Sequence, residues 1–136
     1  MWCGAAAAGG RCRYARGRMS TGANDSPIEI EPAAVGEMID ASAPAQLVDV
    51  REPAEREAGH IAGSLHIELT ELSARADSLE RERPVVFYCR VGSRSLMAAQ
   101  AFRVAGYDAY SMTGGLVRWT EEGRPLTPDG GYVAEH

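Results

Sequence analysis

From Ile28 to Glu122, short apolar runs alternate with longer segments of helix-forming composition, and this alternation restricts the fold more than anything else in the chain. Five runs read as strands: Ile28–Glu31, Gln46–Val50, Ser64–Ile67, Pro84–Tyr88 and Ala109–Met112. Between and after them lie expected helices. Pro32–Ala41 opens with Pro at its first helical position. Glu52–Ala58 is short and polar, and Gly59 ends it. Leu69–Arg83 carries Leu69, Leu72, Ala76 and Leu79 at roughly helical spacing, with a charged opposite face. Arg94–Ala105 and Leu116–Glu122 complete the set. Strands that alternate with helices build βα units. The expected architecture is α/β: a central, mostly parallel five-stranded sheet with helices on both faces. In such sheets ligands bind outside the C-terminal ends of the strands.

One strand end carries reactive chemistry. The run Pro84–Tyr88 leads into Cys89-Arg90-Val91-Gly92-Ser93-Arg94-Ser95, and a helix rich in Ala, Leu and Met follows. Only the thiolate of Cys is a strong nucleophile. A helix N-terminus offers unpaired N–H groups and the positive end of a dipole, which favour an anion. Arg90 and Arg94 add two cations within a few residues. Gly92 lets the loop curl, since it takes positive φ without steric cost, and successive inward N–H groups make an anion-binding nest. Ser93 or Ser95 is expected to cap the helix. A buried, inert Cys would have no use for a glycine and two arginines in the same loop.

The Cys89–Ser95 loop resembles the active-site loop of rhodanese-like sulfurtransferases, whose pattern is Cys-Arg-x-Gly-x-Arg-Ser after a strand. Leu47-Val48-Asp49-Val50-Arg51-Glu52-Pro53 resembles the family's strand followed by Asp-x-Arg. Glu57–Ser64, with Gly59-His60-Ile61-Ala62-Gly63, resembles its Gly-His-Ile-x-Gly turn. Ala105–Tyr110 and Gly114–Trp119 resemble its closing strand and last helix. The likeness runs from about Ile28 to Pro125 in the family's order.

The resemblance implies that the Cys89 thiolate takes a sulfane sulfur from a donor such as thiosulfate. Cys89 then holds it as a persulfide against the amides of Arg90, Val91, Gly92, Ser93, Arg94 and Ser95, and passes it to cyanide or a thiol. Arg90 is expected at the rim, where it attracts an anionic donor. Arg94 is expected to turn inward to a carboxylate, with Glu55 and Asp49 as candidates. Asp49, Arg51 and His60 read as scaffold: an Asp at a strand end accepts backbone N–H bonds, and a nearby Arg pairs with it. His66 stands where the family pattern often has Asn, and it receives no role. Trp119 reads as core.

Two other functions compete with sulfur transfer. A cysteine phosphatase also sets a Cys and an Arg around a helix N-terminus, but with five residues between them, where this loop has Arg90, Val91, Gly92 and Ser93 only. A sulfur-carrying or regulatory module that docks on a partner protein would keep the fold and lose the turnover. The partners expected are a small anionic sulfur donor and a protein sulfur donor or acceptor.

Composition sets the outer limits. The 136 residues suffice for one domain with one core. The net charge of −5 argues against a nucleic-acid binder, and no apolar run approaches the ~20 residues of a membrane span. All 14 cations are Arg, which leaves no lysine for Schiff-base chemistry. Cys3, Cys12 and Cys89 are odd in number and widely spaced, which suits a reducing cytoplasm better than a disulfide framework or a zinc site. Neither a metal-ligand cluster nor a Gly-rich nucleotide loop is present in the sequence, so no cofactor or metal is expected. Residues 1–26 are rich in Gly, Ala and Arg and are expected to be a disordered extension. Met19-Ser20-Thr21 reads as an alternative start, which would make residues 1–18 an artefact of start-codon choice. Residues 27–126 would then be the domain, and 127–136 an irregular tail.

Overall fold

The structure is a computed structural model that describes residues 26–135. The expected extension before Ser26 and the cysteines within it lie outside the described residues. Five strands form one sheet: β1 (Glu29–Ile30), β2 (Gln46–Asp49), β3 (Leu65–His66), β4 (Val85–Tyr88) and β5 (Ala109–Met112). Their spatial order is β1-β5-β4-β2-β3, and every pairing is parallel. Four helices connect or follow them: α1 (Pro32–Asp40), α2 (Pro53–Ala58), α3 (Ser93–Val104) and α4 (Gly115–Glu121). The sheet is therefore wholly parallel, where the sequence pattern implied mostly parallel.

Both faces of the sheet are covered, so the central strands Gln46–Asp49 and Val85–Tyr88 are buried at every position. On one face Val48, Val50, Val85, Phe87 and Cys89 pack with Ala98, Ala99 and Phe102 of α3 and with Leu72 and Leu79. On the other, Leu47, Val86, Tyr88 and Met112 pack with Val35 of α1 and Leu116 and Trp119 of α4. Strand alternation thus sends Cys89 to the α3 face and its neighbour Tyr88 to the opposite one.

The helix expected over Leu69–Arg83 does not form. In its place stand two short 3-10 turns, Leu69–Glu71 and Ala76–Ser78. The periodicity that suggested a helix is real as burial, because Leu72 and Leu79 are core residues. Locally, Arg75 leaves helical geometry at φ −114° and ψ 15°. Ser78 Oγ donates to Arg75 O at 2.6 Å, an alternative to helical pairing that Ser commonly supplies. Two buried leucines anchor this connection without a helix between them. The tail after Arg124 has no helix or strand among the described residues, yet it is fixed. His60 N donates to Thr127 O at 2.9 Å and Thr127 N to His60 O at 2.8 Å. Leu126 and Val133 pack against the α4-side core.

Candidate active site

The parallel register brings two strand ends together. Asp49 pairs with Tyr88 in adjacent strands, and Val50 N donates to Tyr88 O at 3.1 Å. Cys89 is the next residue, fully buried, with a free thiol. The chain then curls through Gly92, which has φ 108° and ψ −10° and stands at the N-cap of α3. This left-handed backbone is the one that favours glycine. The curl carries the Gly92 N–H back to Cys89 Sγ at 3.0 Å. The first N–H groups of α3 follow, and a helix leaves these without intrahelical partners. Gly92 and Ser95 stand beside the sulfur, and Arg90, Val91, Ser93 and Arg94 belong to the same loop and first turn. Among the described residues the one N–H bonded to the sulfur is that of Gly92, where a whole ring of loop amides was expected.

The serine caps come out differently. Neither Ser93 nor Ser95 caps α3; Gly92 does so with its backbone conformation alone, and no side-chain cap bond forms. Ser95 is in the first turn, and its hydroxyl points back to Gly92 O at 3.1 Å and to Ser111 Oγ at 2.8 Å. The Cys89 thiol lies 3.6 Å from the same Ser95 oxygen.

Arg94 turns inward, and its partner is Glu55 rather than Asp49. The guanidinium forms a fork on the carboxylate, Nη1 to Oε2 at 2.9 Å and Nη2 to Oε1 at 3.0 Å. Glu55 is the third residue of α2, where its Oε2 also accepts the Glu52 N–H at 3.0 Å. Burial disfavours the Glu55 charge, but the Arg94 bonds and the Glu52 N–H outweigh it and hold the carboxyl below its ordinary 4.5. The same bonds raise the Arg94 pKa against the cost of burial, with a smaller contribution from Cys89. Arg90 is half-buried at the loop. Its Nε is buried without a hydrogen-bond partner.

Asp49 and Arg51 are taken up by structure. Both side chains are wholly inaccessible. Arg51 donates through Nε to Asp49 Oδ1 at 2.9 Å, through Nη2 to Oδ2 at 2.8 Å, and from its backbone N to Oδ1 at 3.0 Å. Its Nη2 also reaches Gly59 O at 2.7 Å. Arg56, Tyr88 and Ser64 complete the cluster, and sequence reasoning missed all three. Arg56 Nη2 donates to Ser64 O at 2.7 Å, and Tyr88 Oη to Asp49 Oδ2 at 3.2 Å. Burial first, and the Asp49 charge second, push the Tyr88 hydroxyl up to about 12. His60 lies in the turn after α2, with Nδ1 3.1 Å from Arg56 O. His66 lies with Nε2 2.7 Å from Arg51 O.

Two further segments back the thiol loop, the start of α4 and Ser111 of β5. At the start of α4, Leu116 N donates to Cys89 O at 2.9 Å and Val117 N to Arg90 O at 3.0 Å. This approach needs Gly115, whose φ is 60°; a Cβ there would stand 2.5 Å from Arg90 O and 2.7 Å from Cys89 O. Ser111 is the other, a buried hydroxyl in a strand otherwise made of Ala, Tyr and Met. That polar interruption was the available sequence signal.

The comparisons with known proteins agree with this fold. The profile of the rhodanese-like domain matches residues 31–122, and the chain belongs to that family. An uncharacterized protein of Bacillus subtilis, YqhL, is 43% identical over 76 residues, 55% of this chain and 60% of that protein. The putative sulfurtransferase YtwF of Bacillus subtilis is 32% identical over 97 residues, 71% of this chain and 94% of YtwF. A rhodanese-related protein from Thermoplasma volcanium superposes with a TM-score of 0.68 at 34% identity, covering 73% of this chain and 96% of that one. No helix among the described residues is long and apolar enough to cross a membrane.

Proposed function

We propose that this chain is a sulfurtransferase that carries sulfane sulfur on Cys89, and that residues 27–126 are its working domain. The observation that carries the reading is the Gly92 N–H at 3.0 Å from Cys89 Sγ, at the start of α3. A sulfur at a helix N-terminus is favoured as an anion and becomes a nucleophile. The Cys89 thiolate attacks the outer sulfur of thiosulfate. The Cys89 S–S bond forms, the donor's S–S bond breaks, and sulfite leaves with the electron pair. Cyanide or a thiol then attacks the outer persulfide sulfur, and Cys89 leaves as thiolate. The exchange needs no external oxidant or reductant.

The two arginines divide the work. Arg94 is committed to Glu55, so it fixes the loop and adds a neutralised background to the site. Arg90 has no carboxylate to satisfy and supplies the field that draws an anionic donor. A persulfide protein could stand in for thiosulfate and a thiol protein for cyanide, and the name of the relative YtwF supports transfer over mere storage. A reducing compartment such as the cytoplasm would keep Cys89 free.

The test pairs wild type with Cys89→Ser in thiosulfate:cyanide transfer. Thiocyanate should appear with ping-pong kinetics in wild type alone. Mass spectrometry of protein treated with thiosulfate should find one added sulfur atom on Cys89. A chain that acquires this sulfur but turns over no acceptor would be a carrier module. A chain that acquires none, yet hydrolyses an aryl phosphate, would be a phosphatase.

A further inference from the structure

We propose that Ser111 is a positioning residue for Cys89: its hydroxyl orients Ser95 so that the Ser95 O–H is free to turn onto the sulfur when the thiol ionises. This rests on the reading of Cys89 as the nucleophile.

The argument is a count of protons. Ser95 and Ser111 each own one hydroxyl hydrogen and can accept two bonds. Ser95 Oγ has three neighbours: Gly92 O at 3.1 Å, Ser111 Oγ at 2.8 Å and Cys89 Sγ at 3.6 Å. The side chain of Ser111 has one, Ser95. Both serines are buried, with Ser95 at 0% and Ser111 at 1% exposure, so neither hydroxyl can turn to water. A buried donor left unmade is costly. Ser111 must therefore donate to Ser95, because it has no other acceptor. Ser95 then donates to Gly92 O, and the Cys89 S–H donates to Ser95 Oγ.

This arrangement has a second state. When the thiol proton departs to solvent, Ser95 loses a donor and the sulfur gains a charge. The Ser95 O–H rotates from Gly92 O to the sulfur and becomes a second donor beside the Gly92 N–H. Ser111 keeps the same bond in both states, which holds Ser95 Oγ in place during the rotation. Without Ser111, Ser95 Oγ has no fixed donor behind it and its proton stays on Gly92 O. Strand register sets this up: Ser111 stands opposite Phe87, two residues before Cys89 on the same face of the sheet.

The charged groups about the sulfur are Arg90 in its own loop, Arg94 on α3, and, behind Arg94, Glu55 on α2 and Glu52 at its N-cap. The variants that test the proposal leave all four in place. The experiment follows iodoacetamide alkylation of the full chain across pH, read at the Cys89-containing peptide by mass spectrometry. It compares wild type, Ser111→Ala, Ser111→Thr, Ser95→Ala and the double alanine variant. Ser111→Ala should slow alkylation near neutral pH about fivefold, the effect of one hydrogen bond of ordinary net strength. Its profile should move to higher pH while the rate at the alkaline plateau is unchanged. Ser95→Ala should move it at least as far, and the double variant no further than Ser95→Ala. Ser111→Thr, which keeps the hydroxyl, should restore the wild-type profile. If the added methyl unfolds that variant, the non-additivity of the alanine pair decides alone. A Ser111→Ala profile that overlies wild type overturns the proposal, and so does a double variant whose shifts simply add. Alkylation uses no sulfur donor. A displaced profile in a chain that transfers no sulfur keeps this inference and removes the proposed function, and sulfur transfer with an undisplaced profile does the reverse.

Discussion

Two adjacent strands end side by side, and their ends spend charge in opposite ways. At the end of β2, Asp49 meets Arg51 and Arg56, with Tyr88 and Ser64 closing the cluster. Asp49 and Arg51 are sealed from solvent and paired with each other, with Arg51 Nη1 alone left without a hydrogen-bond partner. At the end of β4, the chain presents a thiol to one backbone N–H and a helix N-terminus, and the neighbouring Arg90 has a buried Nε without a hydrogen-bond partner. The first end lies on the α4 face of the sheet and the second on the α3 face. Residues one position apart, Tyr88 and Cys89, are divided between them. Proximity to the thiol-bearing strand end therefore does not by itself direct a charged residue to the sulfur. What differs is whether its charge is already matched by an opposite one, as Arg51 is by Asp49.

Five measurements can break or sharpen that contrast. Cys89→Ser should reduce sulfur transfer to background while thermal unfolding barely changes, since one small buried side chain replaces another. Substantial residual transfer would detach the chemistry from the β4 end. Asp49→Ala should do the opposite. It strands a buried guanidinium, which typically costs about 3–5 kcal/mol, so denaturant midpoints should fall sharply. Cys89 alkylation per folded molecule should stay near wild type; a proportional loss of thiol reactivity would merge the two regions.

Arg94→Ala belongs to both regions. It abandons a buried Glu55 and frees the loop, with an expected stability loss of about 2 kcal/mol, the scale of a charged hydrogen bond. Transfer rate should fall with it, so kcat and denaturant titrations measured together test whether the pair fixes the loop. Arg90→Ala should leave stability unchanged and raise the thiosulfate KM severalfold, with kcat less affected. Unchanged donor kinetics would remove the cationic rim. The smallest effect is in acid. Because Glu55 is held below 4.5 in the folded protein, its pair with Arg94 contributes stability that is complete above 4.5. That contribution fades as pH falls through the lower folded value. Wild type should therefore exceed Glu55→Gln in stability near neutral pH, and the gap should close below 4.5. A gap constant with pH would mean the carboxylate charge is not what binds Arg94.

Some of the site was legible because its signals are local. The sequence of strand, Cys, glycine and helix places a thiol at a helix start without any knowledge of the rest of the molecule. Gly92 takes the positive φ expected of it, and the Asp49–Arg51 pairing needs only two residues of chain. Arg94 could be assigned to a carboxylate, but the choice between Glu55 and Asp49 depended on where α2 begins. Tyr88 was read as a strand residue, and nothing adjacent to it in sequence announces that its hydroxyl would meet Asp49, 39 residues away. Leu69–Arg83 failed for the converse reason. Helical spacing records which residues are buried, and burial can be achieved by two 3-10 turns when Arg75 and Ser78 prefer local bonds.

By itself the sequence determined the α/β class with its mostly parallel sheet, the family likeness and the thiol at a strand end that we propose as the nucleophile, since all three rest on residue order and on spacings of a few positions. The tertiary structure alone decided which partners the charged and hydroxyl groups take: Glu55 for Arg94, Tyr88 for Asp49, Ser111 for Ser95. Those pairings join residues between 16 and 39 positions apart. Strand register and helix docking set such distances, and neither is written in any short stretch of the chain.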